Sequence, residues 1–193
     1  MHERLAELVT SVAALVDSFE GAGIPYAFGG AIALSAWSDP RATTDIDMNV
    51  WVGLDRLDAT FDVLESVGVV LDRETARNQA DSTGVFYTRI GEYRLDMFVP
   101  SIPFYDEALA RRRRVQLAGR DTWVLSAETL AVFKLLFFRP KDLVDVQRMM
   151  QIQSATFDAA FVRAALVDVV GDHDVRVLRW DAIVRVEAVP PTG

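Results

Sequence analysis

The sequence predicts an α/β chain of the α+β kind, in which a mixed sheet with flanking helices is followed by a helical C-terminal segment. Three observations predict it. Apolar residues alternate with polar ones along Asp45 to Val52 and again along Tyr93 to Val99, the two-residue period of a strand with one greasy face. Between and before them, apolar residues return at spacings of three and four, the period of an amphipathic helix. From Ser126 onward only the helical period remains.

Each element has its own signal. Leu5, Leu8, Val12, Leu15, Val16 and Phe19 share one face of a helix over residues 3–20, which Gly21 and Gly23 stop. Pro25 to Phe28 reads as a short strand ending in Gly29-Gly30, and Ala31 to Trp37 as a helix closed by Ser38-Asp39-Pro40. In the strand from Asp45, the residues Asp45, Asp47 and Asn49 lie on one side and Ile46, Met48, Val50 and Val52 on the other. A helix with Leu57, Phe61, Leu64 and Val67 ends at Gly68. Val85 to Ile90 and Tyr93 to Val99 flank a two-residue hairpin turn, Gly91-Glu92; Asp96 lies on the face opposite Tyr93, Leu95, Met97 and Val99. A short helix over Phe104 to Arg111 and a strand near Val115 to Leu117 come next. Ser126 suits the N-cap of a helix from Ala127 to Phe138, and Pro140 the first turn of one running to about Gln151. Asp158 to Val170 and Val175 to Val186 read as two more. No repeat or Pro/Ser linker marks a boundary, so the expected organisation is a core over 1–125 and a helical segment over 126–193 forming one compact unit.

The composition narrows the chemistry. A chain of 193 residues, 51% hydrophobic and 25% charged, buries a core without staples. Cysteine is absent and the two histidines, His2 and His173, are far apart, which argues against thiolate or zinc sites and a Ser-His-Asp triad. Any metal is expected to be a hard cation on oxygen ligands. No stretch is apolar enough to span a bilayer and Met1 to Arg4 is no signal peptide, so a cytoplasmic location and no membrane partner are expected. The net charge of −8 argues mildly against a protein that coats nucleic acid, though not against one that touches a nucleic-acid end.

Four pieces then stand in order: Gly29-Gly30, Asp45-Ile46-Asp47, Asp96 and Lys134. Carboxylates two apart on a strand project from one face and repel unless a divalent cation lies between them. A third carboxylate at the same height on a nearby strand completes an oxygen cage for two Mg²⁺ ions. Two such ions, roughly 3.5–4 Å apart, activate an attacking hydroxyl and stabilise leaving pyrophosphate. Paired glycines between a strand and a helix let backbone N–H groups approach a triphosphate. That chemistry is nucleotidyl transfer.

The stretch Phe28-Gly29-Gly30 … Arg41-Ala42-Thr43-Thr44-Asp45-Ile46-Asp47-Met48 resembles the signature of the polymerase-β-type nucleotidyltransferase superfamily. Lys134-Leu135-Leu136 followed by Arg139-Pro140-Lys141-Asp142-Leu143-Val144-Asp145 resembles the tail of its AbiEii/MenT-like toxin branch. The pattern departs in a slightly long spacer before Asp45 and in Ala31, where Ser or Thr is common. The resemblance implies the nucleotidyltransferase fold, metal ligation by Asp45, Asp47 and Asp96, with Asp96 also the base, and a triphosphate contact for Lys134. The expected nucleotide-binding set is Gly29, Gly30, Arg41, Thr44, Lys134 and Asp142. The implied cofactor is Mg²⁺, two ions, with Mn²⁺ able to substitute. The implied partners are an NTP, an RNA acceptor such as a tRNA 3′ end, and a cognate antitoxin.

Plainer alternatives stand beside these. Gly29-Gly30 serves equally as a strand-to-helix turn, and an Asp-x-Asp as the solvated face of a strand. Lys134, among apolar neighbours, can simply snorkel. Asp142 and Asp145, behind Pro140, stabilise a helix dipole in any case. Arg41 either clamps a phosphate or pairs with Asp39; Arg111 to Arg114 is either a solvated helix end or an RNA-backbone patch. Trp51, Trp123 and Trp180 read as core. At the level of function the rivals are a small-molecule nucleotidyltransferase of the aminoglycoside type, which an acidic surface suits, and a catalytically silent nucleotide-binding module.

Overall fold

The computed structural model of the chain describes residues 2–187. Helix α1 (His2–Ala22) runs through Gly21, and Gly23, at φ +64°, ends it. Strand β1 (Tyr26–Phe28), helix α2 (Gly30–Trp37) and strand β2 (Asp45–Val50) follow. After a single 3-10 turn come helices α3 (Leu57–Ser66) and α4 (Arg73–Thr83), the hairpin of β3 (Val85–Ile90) and β4 (Tyr93–Phe98), and helix α5 (Phe104–Arg111). A second hairpin, β5 (Arg113–Leu117) and β6 (Arg120–Val124), precedes α6 (Ala127–Phe137), α7 (Pro140–Ile152), α8 (Ala159–Val170) and α9 (Val175–Glu187).

The strands form one mixed sheet in the order β3-β4-β2-β1-β6-β5. Its centre is where the greasy faces predicted from alternation meet: Ile46, Met48 and Val50 of β2 and Leu95 and Met97 of β4 are fully buried. Strand β2 runs parallel to β4 and antiparallel to β1. Helix α3 packs into this core, with buried Phe61 meeting Phe86 of β3 edge-on at 5.5 Å.

Among the described residues the chain gathers into two compact units. One holds the chain up to Ile32 together with Arg41–Leu125, and so the whole sheet; the other holds Ala33–Pro40 and the chain from Ser126. In the second unit α6 packs on α7, α8 and α9, and buried Trp180 meets Phe157 at 6.2 Å. Gln153 of the α7 C-cap donates to the Trp37 carbonyl, tying the end of α2 into the same unit.

Two elements were not foreseen. Helix α4 buries only Ala76 and Ala80, so it carries no apolar period; its ends hold it, with Asp72 accepting from the Glu74 and Thr75 amides and Gly84 at φ +73° closing it. Strand β6 turns back from β5 through Ala118 and Gly119, both at positive φ, and pairs with β1 in parallel. Of the three tryptophans expected in the core, Trp180 is buried, while Trp51 and Trp123 are half-buried.

Candidate active site

The acidic face of β2 is positioned by backbone pairing on both sides. The Gly29 amide donates to the Asp47 carbonyl at 2.8 Å, which brings the start of α2 against this strand. Gly30 holds φ +49°, and a Cβ there would lie 1.8 Å from Asp47 Oδ2. Only glycine fits, because both the dihedral and the space exclude a side chain. The close approach that the glycine pair permits is therefore made, in this structure, to the Asp47 carboxylate. On the other side, the parallel register sets Asp47 opposite Asp96 and Asp45 opposite Arg94. Because side chains alternate along a strand, Asp45, Asp47, Arg94 and Asp96 all share one sheet face. Asn49, the next residue on that face, is buried and donates to the Ala27 carbonyl at 3.4 Å.

Arg94 joins this face as its cation. Its Nε donates to Asp96 Oδ1 at 2.7 Å and its Nη2 to Asp96 Oδ2 at 2.5 Å, the two-pronged pairing of a guanidinium with a carboxylate. Asp45 Oδ1 lies 3.8 Å from the same guanidinium, and the Tyr87 ring lies 5.5 Å away. The Asp96 side chain is only 6% exposed and that of Arg94 is 50% exposed. The hydrogen bonds to Asp96 push the Arg94 pKa above its already high ordinary value, against the opposing effect of burial. Thr44 Oγ1 donates to Asp45 Oδ1 at 3.3 Å, and Thr43 Oγ1 accepts from the Asp45 amide, fixing the entry to the strand.

Among the described residues, no three His, Asp or Glu side chains are drawn together closely enough to hold a metal ion. The donor set nevertheless fits a hard divalent cation: three carboxylates on one face, two of them in direct register, and a guanidinium standing between two of the three. Arg94 was not singled out in the sequence, although its alternation with Leu95 and Asp96 already placed it beside Asp96.

The second charged cluster lies in the helical unit. Ser126 caps α6 by accepting from the Thr129 amide, and about two turns on Lys134 Nζ donates to Asp145 Oδ2 at 2.7 Å and to Asp142 Oδ1 at 3.5 Å. Arg139, the N-cap of α7, donates from Nε to Asp142 Oδ2 at 2.6 Å, and its backbone amide donates to the same carboxylate. Lys134 is 4% exposed and Asp142 is 0% exposed, so the lysine does not snorkel to water. Two carboxylates here meet two cations, each carboxylate taking up a buried donor.

The remaining candidates are at the surface. Arg41 is exposed on the segment leading into β2, and Asp39 lies 3.8 Å from Arg148. The arginine run does not form one patch. Arg111 pairs with Glu107 at the end of α5, and Arg114 with Glu20 at 3.4 Å. Arg112 donates to the Tyr26 carbonyl and stacks 4.2 Å over the Trp123 ring, where partial burial lowers its pKa. Arg113 is exposed and donates to the carbonyls of its own neighbours.

Known proteins resemble this chain in family and in fold. The family model described as nucleotidyl transferase AbiEii toxin, type IV TA system, matches residues 13–189. No curated protein sequence matches. Among solved structures, the antibiotic-resistance factor ANT(2'')-Ia superposes with a TM-score of 0.61 at 15% identity, covering 93% of this chain and 96% of that one. An antigenic nucleotidyltransferase-like protein from Paracoccidioides brasiliensis gives 0.55 at 20% identity over 90% and 93% of the two chains. A putative nucleotidyltransferase from H. pylori gives 0.55 at 15% over 96% and 95%. Likenesses at this identity concern the fold, and they agree with the nucleotidyltransferase-like α+β architecture expected from the sequence.

Proposed function

The chain belongs to the nucleotidyl transferase AbiEii toxin family, and on that premise we propose that it moves an NMP from an NTP onto the 3′ hydroxyl of an RNA, a tRNA in particular. The chain is a nucleotidyltransferase, and its family, that of a type IV toxin, carries with it an NTP substrate and an antitoxin partner. In the proposed reaction the acceptor oxygen bonds to the α-phosphorus, the bond to the β-phosphate oxygen breaks, and pyrophosphate leaves with that electron pair.

The observation that carries this reading is the register of Asp47 against Asp96 with Asp45 on the same face. We assign Asp45, Asp47 and Asp96 as ligands of Mg²⁺, for which Mn²⁺ substitutes. Bound there, divalent ions would lower the charge density on the reacting phosphate and favour the ionised acceptor hydroxyl. Asp96 accepts the proton of that hydroxyl. Gly29, Gly30, Arg41 and Thr44, around the start of α2 and of β2, are assigned to the nucleotide. Lys134 is assigned to a phosphate oxygen, with Asp142 and Asp145 holding its ammonium in one place. A cytoplasmic site of action follows from an RNA acceptor; among the described residues, no helix is long and apolar enough to cross a membrane.

Incubation with labelled NTPs, Mg²⁺ and total RNA tests the proposal. A labelled tRNA band supports it. Label on a cationic drug with none on RNA overturns it in favour of a small-molecule acceptor, which the net charge of −8 suits because acidic clefts attract cations.

A further inference from the structure

We propose that Arg94 sets the divalent-cation affinity of this site, as a built-in competitor that must leave Asp96 before a metal ion can bind. The inference rests on the assignment of the three carboxylates as metal ligands and adds to it the residue that opposes metal entry.

The geometry points this way for three reasons. First, the guanidinium takes both oxygens of Asp96, the least exposed of the paired acids, and reaches within 3.8 Å of Asp45. A carboxylate whose two oxygens both accept from one fork has no strong acceptor site left on that side for a metal. Second, Arg94 is the neighbour of Asp45 in the β2–β4 register and lies two residues before Asp96, so it is tethered to the site it blocks. A tethered competitor acts at high effective concentration, whatever the solution holds. Third, the Arg94 side chain is half exposed. It can exchange its partner for water at small cost, whereas Asp96, nearly buried, must keep a cation. The exchange is therefore of one cation for another. Metal binding is weakened by whatever the Arg94–Asp96 pair contributes.

The Tyr87 ring supports the closed arrangement. Tyr87 stands opposite Asp96 across the β3–β4 ladder, and its face lies 5.5 Å from the guanidinium carbon. Cation and ring attract, which helps hold the fork over the carboxylate. The free enzyme thus keeps its carboxylates partly neutralised until a divalent ion takes the place of Arg94.

Binding of Mn²⁺ alone, without NTP, reads this directly by calorimetry or by the resonance of the free ion. Wild type is compared with Arg94→Gln, Arg94→Lys and Asp47→Asn. Arg94→Gln should bind Mn²⁺ about ten- to a hundredfold tighter, the loss expected of a two-pronged charged pair. Arg94→Lys, a point charge without the fork, should fall between. In metal-free buffer Arg94→Gln should also melt lower than wild type, and Mn²⁺ should raise its melting temperature by more. Should Arg94→Gln prove too unstable to purify, Arg94→Lys alone decides by whether it binds tighter than wild type. Equal or weaker binding by both Arg94 variants, with wild-type binding lost in Asp47→Asn, overturns the inference and leaves the metal assignment standing. Binding unaffected by Asp47→Asn, or absent from wild type and Arg94 variants alike, overturns the metal assignment and the inference with it.

Discussion

In the sheet unit, Asp45, Asp47 and Asp96 share one face with Arg94, whose guanidinium stands between Asp45 and Asp96; in the helical unit, Asp142 and Asp145 meet Lys134 and Arg139. The first cluster is partly exposed. The second is buried and balanced. Burial explains the difference, because a carboxylate removed from water must be paired at once, whereas one at a surface can wait for a partner from solution. The buried cluster is held in the fold by its own pairs, and the partly exposed one can exchange a partner with the solution.

That contrast predicts opposite responses to removal of an acid, and the largest belongs to the sheet. Asp45→Ala and Asp47→Ala should each abolish pyrophosphate release while leaving the circular dichroism spectrum unchanged, with metal-free stability unchanged or raised by relief of repulsion. Normal turnover by either purified variant would break the comparison at its first term.

In the helical unit the same kind of change should cost stability. Asp142→Ala or Asp145→Ala leaves a buried cation short of a partner, and urea unfolding should register a loss of about 3–5 kcal/mol. Lys134→Met should destabilise in the same direction, since it takes the ammonium away from the buried Asp142 and Asp145 carboxylates. A Lys134→Met enzyme with full activity per folded molecule would make the lysine a structural element only. Stability unchanged in all three would mean that the cluster is open to water after all.

Gly30→Ala sharpens the link between backbone and site. Its positive φ should cost about 1–2 kcal/mol, and its Cβ must displace the Asp47 carboxylate. Transfer should fall far more than that stability change, and Mn²⁺ binding with it. A loss of stability with normal Mn²⁺ binding would separate the glycine from the acid.

The smallest effect concerns the arginine run. With Arg111, Arg112 and Arg114 already engaged, Arg113 is the cation free to meet an RNA phosphate. Arg113→Gln should flatten the salt dependence of RNA binding by about one unit of slope. Arg112→Gln should instead act on stability, through the lost stack on Trp123. Identical slopes for Arg113→Gln and wild type would make the run a set of structural pairs.

Much of this was legible in the chain. Period two located the acidic faces of β2 and β4, Gly91-Glu92 the hairpin of β3 and β4, and Ser126 and Pro140 the starts of two helices, because each signal is local. Helix α4 escaped because Arg73-Glu74-Thr75-Ala76-Arg77-Asn78-Gln79 has no apolar stripe; the Asp72 cap and Gly84 were the signals present. Strand β6 escaped because its partners, β1 and β5, are identified only once the sheet is assembled. Arg94 was visible as a residue but not as a participant.

The sequence by itself determined the kinds of group: three carboxylates on alternating strand positions, a glycine pair, and a lysine followed by two more acids. Spacing along a chain sets which side chains share a face, and that is a property of the backbone period alone. Only the tertiary structure decided which groups meet. The parallel register of β2 and β4, set by pairing across 48 residues of chain, put Asp47 opposite Asp96 and Arg94 opposite Asp45. The packing of α7 on α6 put Lys134 against Asp145 rather than in water. Register and burial follow from the free energy of the whole core, so they cannot be read from any one segment.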